Sequence, residues 1–403
     1  MLFEPLTFKR KVEASVWERN LVDDGVTFTP YQMKYMFECA ESRTTFDEYA
    51  QNLYLDVDTK RAALRASASV VSIVSYLGEK ELNQTSGTII ESYDNCGVIL
   101  TSANLVRCPT NRGSREDNVK VIVYLSESES FEGKIMACDF HYNLVAIKIQ
   151  SDTPLRAACL ANLDDSFITD PSSLLAHKHK SFELRPHSTS YNLIPGVAVI
   201  ALGRFFSKRF NLMAAPGIFR LGDCKYGCEE LFSTTCKITR CGIGGPLINQ
   251  YGEVIGICFY DWSYTPFLPI NIASIWWDHY KKYGEPRRPK LGMKVANLHT
   301  TDLGILENFC QMFPNIFRGI IVEKVLLGSS AHSAGIRPED VIVQFDGTNV
   351  QSFFELFEKM WSKVGDIVEV VVIRANTDDP LHLMMRVDEA TEVYDWPLFE
   401  SEL

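Results

Sequence analysis

From Val70 onward, short β-branched and aliphatic runs alternate with turn residues: Val70 to Tyr76, Gly87 to Ile90, Gly97 to Thr101, Val119 to Tyr124, Leu144 to Ile149 and Val197 to Leu202. Such runs, bounded by Gly, Pro, Asn and Ser, read as strands, and a succession of them reads as a β-barrel or a sandwich pair. The period then changes. After Gly252-Glu253-Val254-Ile255-Gly256-Ile257, the residues Ile272, Ile275, Trp276, Tyr280 and Tyr283 share one helical face, with Asn271 near the start and Gly284 as the stop. The stretch 281–290 is basic and broken by proline, and reads as a linker. Residues 291–387 form a second, smaller unit of strands and two helices, and 388–403 an acidic, aromatic tail. Before the first strand, residues 1–66 read as a helical extension. There Thr29 and Pro30 make an N-cap and first-turn pair, and Tyr35, Met36, Cys39 and Ala40 follow at helical spacing. The chain contains no internal repeat and no low-complexity block.

Composition narrows the classes. The 403 residues exceed one ordinary core, so two folded domains are expected. Hydrophobic residues make up 46% and glycine and proline are not enriched, a soluble globular profile. Forty basic against fifty-one acidic side chains give a net charge of -11. That charge repels phosphate backbones, so nucleic acid and membrane surfaces are not expected partners, and protein or peptide is. No apolar stretch is long enough to span a bilayer, and the acidic N-terminal residues do not fit a targeting peptide. The expected location is cytoplasmic or nuclear. Eleven cysteines, an odd number, read as reduced thiols rather than a disulfide framework.

Three motifs in order carry more specific information. Ser86-Gly87-Thr88-Ile89-Ile90 is followed by Gly97-Val98-Ile99-Leu100-Thr101-Ser102-Ala103-Asn104-Leu105-Val106. Next comes Asp139-Phe140-His141-Tyr142-Asn143-Leu144-Val145-Ala146-Ile147-Lys148-Ile149, and then Thr239-Arg240-Cys241-Gly242-Ile243-Gly244-Gly245-Pro246-Leu247-Ile248-Asn249. This series resembles the HtrA/Deg family of serine proteases, with its T-x-A-H-V, D-x-x-x-D-L-A-V-L-K-I and G-N-S-G-G-P-L elements, and the likeness runs from about Val70 to Val387. The resemblance implies a mainly β chain: a chymotrypsin-like double β-barrel over 67–280, the 281–290 linker, and a PDZ domain over 291–387, of α+β type.

The same motifs place the family's histidine on Asn104, its aspartate on Asn143 and its serine on Ile243. Acyl transfer by a triad needs a hydroxyl nucleophile, an imidazole that takes and returns its proton, and a carboxylate that holds the imidazole tautomer. Ile243 offers hydrocarbon, and the Asn104 amide does not titrate near neutral pH. Loss of a whole triad costs about two million-fold in kcat, on the order of 8 to 9 kcal/mol of barrier. By resemblance, the backbone amides of Cys241 and Ile243 mark the place of the oxyanion hole, which without a nucleophile binds a carbonyl or carboxylate without cutting it.

The spacing of the cysteines argues against two other chemistries. Cys241 is similar to the nucleophile of viral cysteine proteases built on this barrel, but it lies two residues before the serine position, and its base would have to be His141. Cys224, Cys228, Cys236 and Cys241 fall close together, yet without the C-x₂-C spacing of a zinc knuckle, so no metal and no cofactor is expected. In the second unit, Leu291, Gly292, Met293 and Lys294 resemble a PDZ carboxylate-binding loop. Gly319 to Val325 and Gly328 to Ile342 resemble the strand, helix and turn that follow, and Phe353 to Trp361 the helix bordering the peptide groove, although its aromatic stripe equally suits a core.

The expected function is thus a pseudoprotease that binds protein C-termini or extended peptides, with a serine-type endopeptidase of rearranged site, or a purely structural subunit, as alternatives. The resemblance implies a homo- or hetero-oligomer, a trimer in the family. The terminal Ser401-Glu402-Leu403 has the form that PDZ grooves accept, which suggests that the tail occupies the groove.

Overall fold

The structure, a computed structural model, describes residues 55–391 apart from 109–110, 112, 126–128, 167–189, 207–210, 221–227, 229, 262–263, 286, 315, 376 and 378. The expected helix after Thr29 and the end of the tail lie outside the described residues. Helix α1 (Val57–Ala66) begins at Asp56, whose carboxylate accepts from the Thr59 amide at 2.8 Å. Its small residues Ala62, Ala63 and Ala66 are buried against the second barrel, so this part of the N-terminal extension packs on the core.

Six antiparallel strands close the first barrel: β1 (Val70–Leu77), β2 (Lys80–Tyr93), β3 (Cys96–Ser102), β4 (Val119–Tyr124), β5 (Ser130–Asp139) and β6 (Leu144–Gln150), in the order β1-β2-β3-β6-β5-β4. Two short strands, β7 (Leu163–Asp164) and β8 (Tyr191–Asn192), pair in parallel. The second barrel contains β9 (Ala198–Arg204), β10 (Leu212–Arg220), β11 (Phe232–Thr234), β12 (Pro246–Ile248), β13 (Val254–Cys258) and β14 (Thr265–Pro269), closed as β10-β11-β14-β13-β12-β9. Alternation explains the uninterrupted apolar runs of β3 and β6. Ile99, Val145, Ile147 and Ile149 fill the first barrel, while Val98, Leu100, Leu144 and Ala146 face the larger core shared with the second barrel. Strands buried on both faces lose the polar alternation of half-exposed ones. Each such side chain contributes on the order of 1.5 to 3 kcal/mol.

Helix α2 (Ile270–Tyr283) follows and stops at Gly284 in the left-handed region, φ 81. Asn271 is its second residue, and its side-chain amide pairs with both backbone groups of Leu163. Within the 281–290 linker, β15 (Pro289–Lys290) pairs with a late strand described below. The third unit contains β16 (Met293–Asn297), α3 (Leu303–Met312), β17 (Ile320–Val325), α4 (Ser330–Ala334), β18 (Val341–Phe345), β19 (Thr348–Asn349), α5 (Phe353–Trp361), β20 (Ile367–Ile373), β21 (Leu381–Arg386) and β22 (Asp388–Glu389), the partner of β15. Its sheet runs β16-β17-β18-β20-β21, with β19 on β18, so β16 is an edge strand. Among the described residues no helix is long and apolar enough to cross a membrane.

The aromatic stripe of α5 docks the third unit on the barrels. Phe232 of β11 packs on Phe353 and Phe354, and Trp361 meets His279 of α2 and Tyr142 of the first barrel. At the start of α5, Ser352 accepts from the Glu355 amide, Asn297 Oδ1 from the Phe353 amide at 2.7 Å, and Asp165 Oδ2 from the Phe354 amide at 3.3 Å. The Asn297 side-chain amide also donates to Asp165 Oδ2 at 2.8 Å. Three first-turn amides are satisfied, two of them across elements far apart in sequence.

Burial raises the Asp165 carboxyl to about 6, against the pull of its hydrogen bonds from Asn297 and Phe354. An unfolded aspartate has a value of 3.8. Between these values the native state holds a proton that the unfolded chain has released, so stability falls as pH rises through the window, by up to about 3 kcal/mol. Urea unfolding at pH 4 and pH 7 is expected to show this loss in the wild type, and a smaller one in Asp165→Asn, which is neutral at both. The same pH dependence in both proteins would show that the native carboxyl titrates as an unfolded one.

Candidate active site

The seam between the barrels is set by backbone approach. Ser86 of β2 donates through its hydroxyl to the Cys241 carbonyl at 2.5 Å and accepts from the Arg204 amide at 2.7 Å. The buried Arg204 guanidinium donates to the carbonyls of Val70 and Ser67, and burial lowers it to about 10, still charged at neutral pH. Gly244 has φ +74, and a Cβ there would lie 2.2 Å from Thr101 Oγ1 and 2.6 Å from the Ser86 carbonyl. Its lack of a side chain lets the 240–245 loop close on β2 and β3.

Of the three positions that the resemblance equates with a triad, the structure joins Asn104 and Asn143 directly and places Ile243 on the seam against Ser86. Asn104 lies on a 3₁₀ turn, Ala103–Val106, that follows β3 and is capped by Ser102. Asn143 opens β6 with φ 53, a conformation that asparagine tolerates better than most residues, and is buried. Asn143 Oδ1 accepts from the Asn104 amide at 3.1 Å, and the Asn143 carbonyl from the Ala103 amide at 2.9 Å. The Asn104 side chain in turn accepts from Arg107 Nε at 3.0 Å, and the Arg107 guanidinium lies 4.5 Å from the centre of the Phe140 ring. Arg107 was not singled out from the sequence. Only the helical turn places it back on Asn104, and no motif marks it.

Ile243 is buried at 5% exposure, and its carbonyl accepts from the Ser86 amide. The expected oxyanion hole takes a different form. Residues Arg240–Gly242 wind into a 3₁₀ turn in which the Ile243 amide donates to the Arg240 carbonyl at 3.1 Å and the Cys241 amide to Thr239 Oγ1 at 3.3 Å. In this conformation both amides are engaged within the loop, and neither is offered to a bound oxyanion.

The cysteine alternatives are not assembled. Cys241 sits in an apolar cluster with Phe205 and Met213, whereas His141 groups with Cys228 and Glu230. Of the four cysteines weighed as a zinc set, Cys224 lies outside the described residues. Cys236 bonds to Thr234 and the Val199 carbonyl, so Cys228, Cys236 and Cys241 point to three separate places. Burial pushes the Cys236 thiol up to about 11, the opposite of what a nucleophile needs.

In the third unit Leu291, Gly292, Met293 and Lys294 lead directly into edge strand β16. Gly292 has φ +67, and its carbonyl accepts from the Leu326 amide and from Ser329 Oγ, which holds the turn. Leu291 and Met293 are buried, while Lys294 is half-exposed and pairs with Glu323 at 3.0 Å. An edge strand preceded by such a turn can accept an added strand. The start of the tail lies against the linker: Arg287 bonds to Glu389, and Ala390 to Arg288. The expectation that the terminus fills the groove concerns residues outside the described ones.

Comparison with known proteins agrees with this architecture. Residues 85–257 match the trypsin-like peptidase domain, and residues 289–384 the PDZ domain. The chain is 33% identical over 344 residues to protease Do-like 14 of Arabidopsis thaliana, covering 81% of this chain and 71% of that protein. It is 30% identical to the serine protease HhoA of Synechocystis, over 66% of this chain and 61% of the relative. Identity to the periplasmic pH-dependent serine endoprotease DegQ of Escherichia coli is 25%, over 76% of this chain and 59% of the relative. The chain thus spans about three fifths of the length of these last two. Among solved structures, a serine endoprotease from Yersinia pestis matches with a TM-score of 0.45 and 18% identity, over 83% of this chain and 99% of that one. Two closed six-stranded barrels followed by a PDZ domain, and a relative one-third identical across most of its length, place the chain in the Do-like (HtrA/Deg) family of serine proteases.

Proposed function

We propose that this chain is a non-hydrolysing member of its family, which holds extended peptides or protein C-termini along β16 and acts as a scaffold or regulator, alone or assembled with active relatives. The observation that carries the reading is the composition of the seam. By the motif resemblance Asn104, Asn143 and Ile243 stand where the family has base, orienting acid and nucleophile, and the amides of Cys241 and Ile243 are turned into their own loop. Even with a hydroxyl at 243, Asn104 offers no imidazole to take its proton, and the amides of Cys241 and Ile243 are engaged within their loop. The nine free thiols among the described residues support placing the protein in a reducing compartment, the cytoplasm or nucleus. The competing reading is a serine-type endopeptidase with a rearranged site; the DegQ and DegP relatives are named serine endoproteases.

Purified protein is expected neither to cleave unfolded casein nor to label with a fluorophosphonate. Because a triad acts as a unit, Ile243→Ser alone should add almost nothing, and measurable proteolysis should need Asn104→His, Asn143→Asp and Ile243→Ser together. The triple variant should remain slower than an intact relative, since the Arg107 guanidinium beside position 104 disfavours an imidazolium there. Hydrolysis by the wild type, or strong hydrolysis by the single serine variant, would reveal a catalytic base elsewhere and overturn the reading.

Peptide capture has its own test. A Cβ at Gly292 would lie 2.8 Å from Ser329 Cβ, on a backbone with φ +67. Gly292→Val is therefore expected to weaken binding of a fluorescent peptide with a hydrophobic C-terminus by about tenfold or more, roughly the 1.4 kcal/mol that separates decades of Kd. Fluorescence anisotropy reads the affinity, and circular dichroism checks that the fold persists. Unchanged affinity in a folded variant would remove the 291–294 turn from the binding site.

A further inference from the structure

Next to the Asn143 loop, but separate from the triad positions, three metal-ligating side chains converge in a buried place. His141 lies between β5 and β6 of the first barrel, and Cys228 and Glu230 precede β11 of the second. One donor atom from each lies within 4.8 Å of the other two. All three residues are buried, at 4%, 1% and 6% exposure. Cys228 Sγ and Glu230 Oε2 are already 3.1 Å apart, close to the edge of a tetrahedron around zinc, on which bonds of about 2.0 to 2.3 Å separate the donors by roughly 3.3 to 3.8 Å. Closing the set around an ion thus needs side-chain movements of about 1 Å.

A second, independent feature points into the same place. The Tyr142 hydroxyl is fully buried, and among the described residues it has no hydrogen-bond partner. The Tyr142 ring meets that of His141 edge-on, with centroids 4.7 Å apart. Buried phenols find partners in most folded proteins, because an unmade hydrogen bond costs about 1 to 3 kcal/mol. Arg288 lies 5.9 Å from the Tyr142 ring, but its guanidinium is engaged by Asp139.

We propose that His141, Cys228 and Glu230 bind one Zn²⁺, with the fourth position taken by water or by the Tyr142 oxygen. One imidazole nitrogen, one thiolate and one carboxylate form a borderline-soft set that suits zinc and disfavours calcium or magnesium. On binding, the Cys228 thiol gives its proton to solvent and the hydrogen bond to Glu230 is replaced by two bonds to the metal. The ion clamps the loop that carries Asn143 to the segment leading into β11, and so joins the two barrels. This site is independent of the proposed loss of hydrolysis, since none of its ligands occupies a triad position.

The test uses the full chain, purified without a polyhistidine tag. Elemental analysis is expected to find about one zinc per chain after dialysis, and added zinc to raise the Tm of metal-stripped protein. Cobalt loading of the wild type should give tetrahedral bands with a thiolate charge-transfer transition, a readout that needs no variant. Cys228→Ser and His141→Ala should each weaken zinc binding by about a hundredfold or more in a chelator competition, whereas Cys236→Ser should leave it unchanged. The absence of stoichiometric zinc together with a cobalt spectrum lacking the thiolate band would overturn the site, as would full zinc affinity in folded Cys228→Ser.

Discussion

The arrangement of this chain turns on one buried carboxylate. Asp139 Oδ1 accepts from the amides of His141 and Tyr142, while Oδ2 accepts from Trp276 Nε1 at 2.9 Å and from Arg288 at 2.6 Å. One side chain thereby shapes the turn that presents Asn143, anchors α2, and holds the linker before the PDZ domain. With the carboxylate removed, a largely buried guanidinium would lack its counter-charge, a defect that costs on the order of 3 to 5 kcal/mol in comparable settings. The first barrel, the terminal helix of the second and the entry to the third unit therefore share a single electrostatic fixing point.

Around that point main-chain geometry shapes the seam between the barrels. The close approach at Gly244, the Ser86 bridge and the left-handed turn at Asn143 all depend on main-chain geometry, to which the identity of a nucleophile is irrelevant. Asn143 Oδ1 accepts from the Asn104 amide, so a side-chain oxygen at 143 ties the two positions together. Arg107 Nε donates to Asn104 Oδ1.

Helix α5 serves two surfaces. It follows the sequence expected to border the peptide groove, yet Phe353, Phe354 and Trp361 are buried against aromatic residues of the barrels and α2. Asn297 at the end of β16 bonds to both the α5 amide and Asp165, so the far end of the edge strand is tied to the body of the protein. Docking thus uses the same two elements that are expected to border a peptide groove. A rearrangement of one cannot leave the other untouched.

Much of the architecture was legible in the sequence because it is periodic or local. β4 has the limits the pattern predicts, and β1, β3 and β6 run only a residue or so beyond theirs, because their apolar residues are consecutive in the chain. The first half of β2, with Glu81, Asn83 and Gln84, and most of β5 were not apparent, since hydrogen-bond pairing to β1, β4 and β6 rather than apolar content makes them strands. The positions Asn104, Asn143 and Ile243 could be picked out because motif order carries them. Their surroundings could not: the inward turn of the Cys241 and Ile243 amides, the reach of Arg107 back to Asn104, and the meeting of Asp165 with Asn297. Sequence alone offers His141 only as a distant base for Cys241 and Cys228 only as one of a cysteine set without knuckle spacing, and motif spacing argues against both. The folded chain instead brings residues 141, 228 and 230 together, because two barrel loops nearly ninety residues apart close on each other. Sequence determines which side chains exist and which face they take along a strand or helix; contact between distant segments is decided by packing, which no local period records.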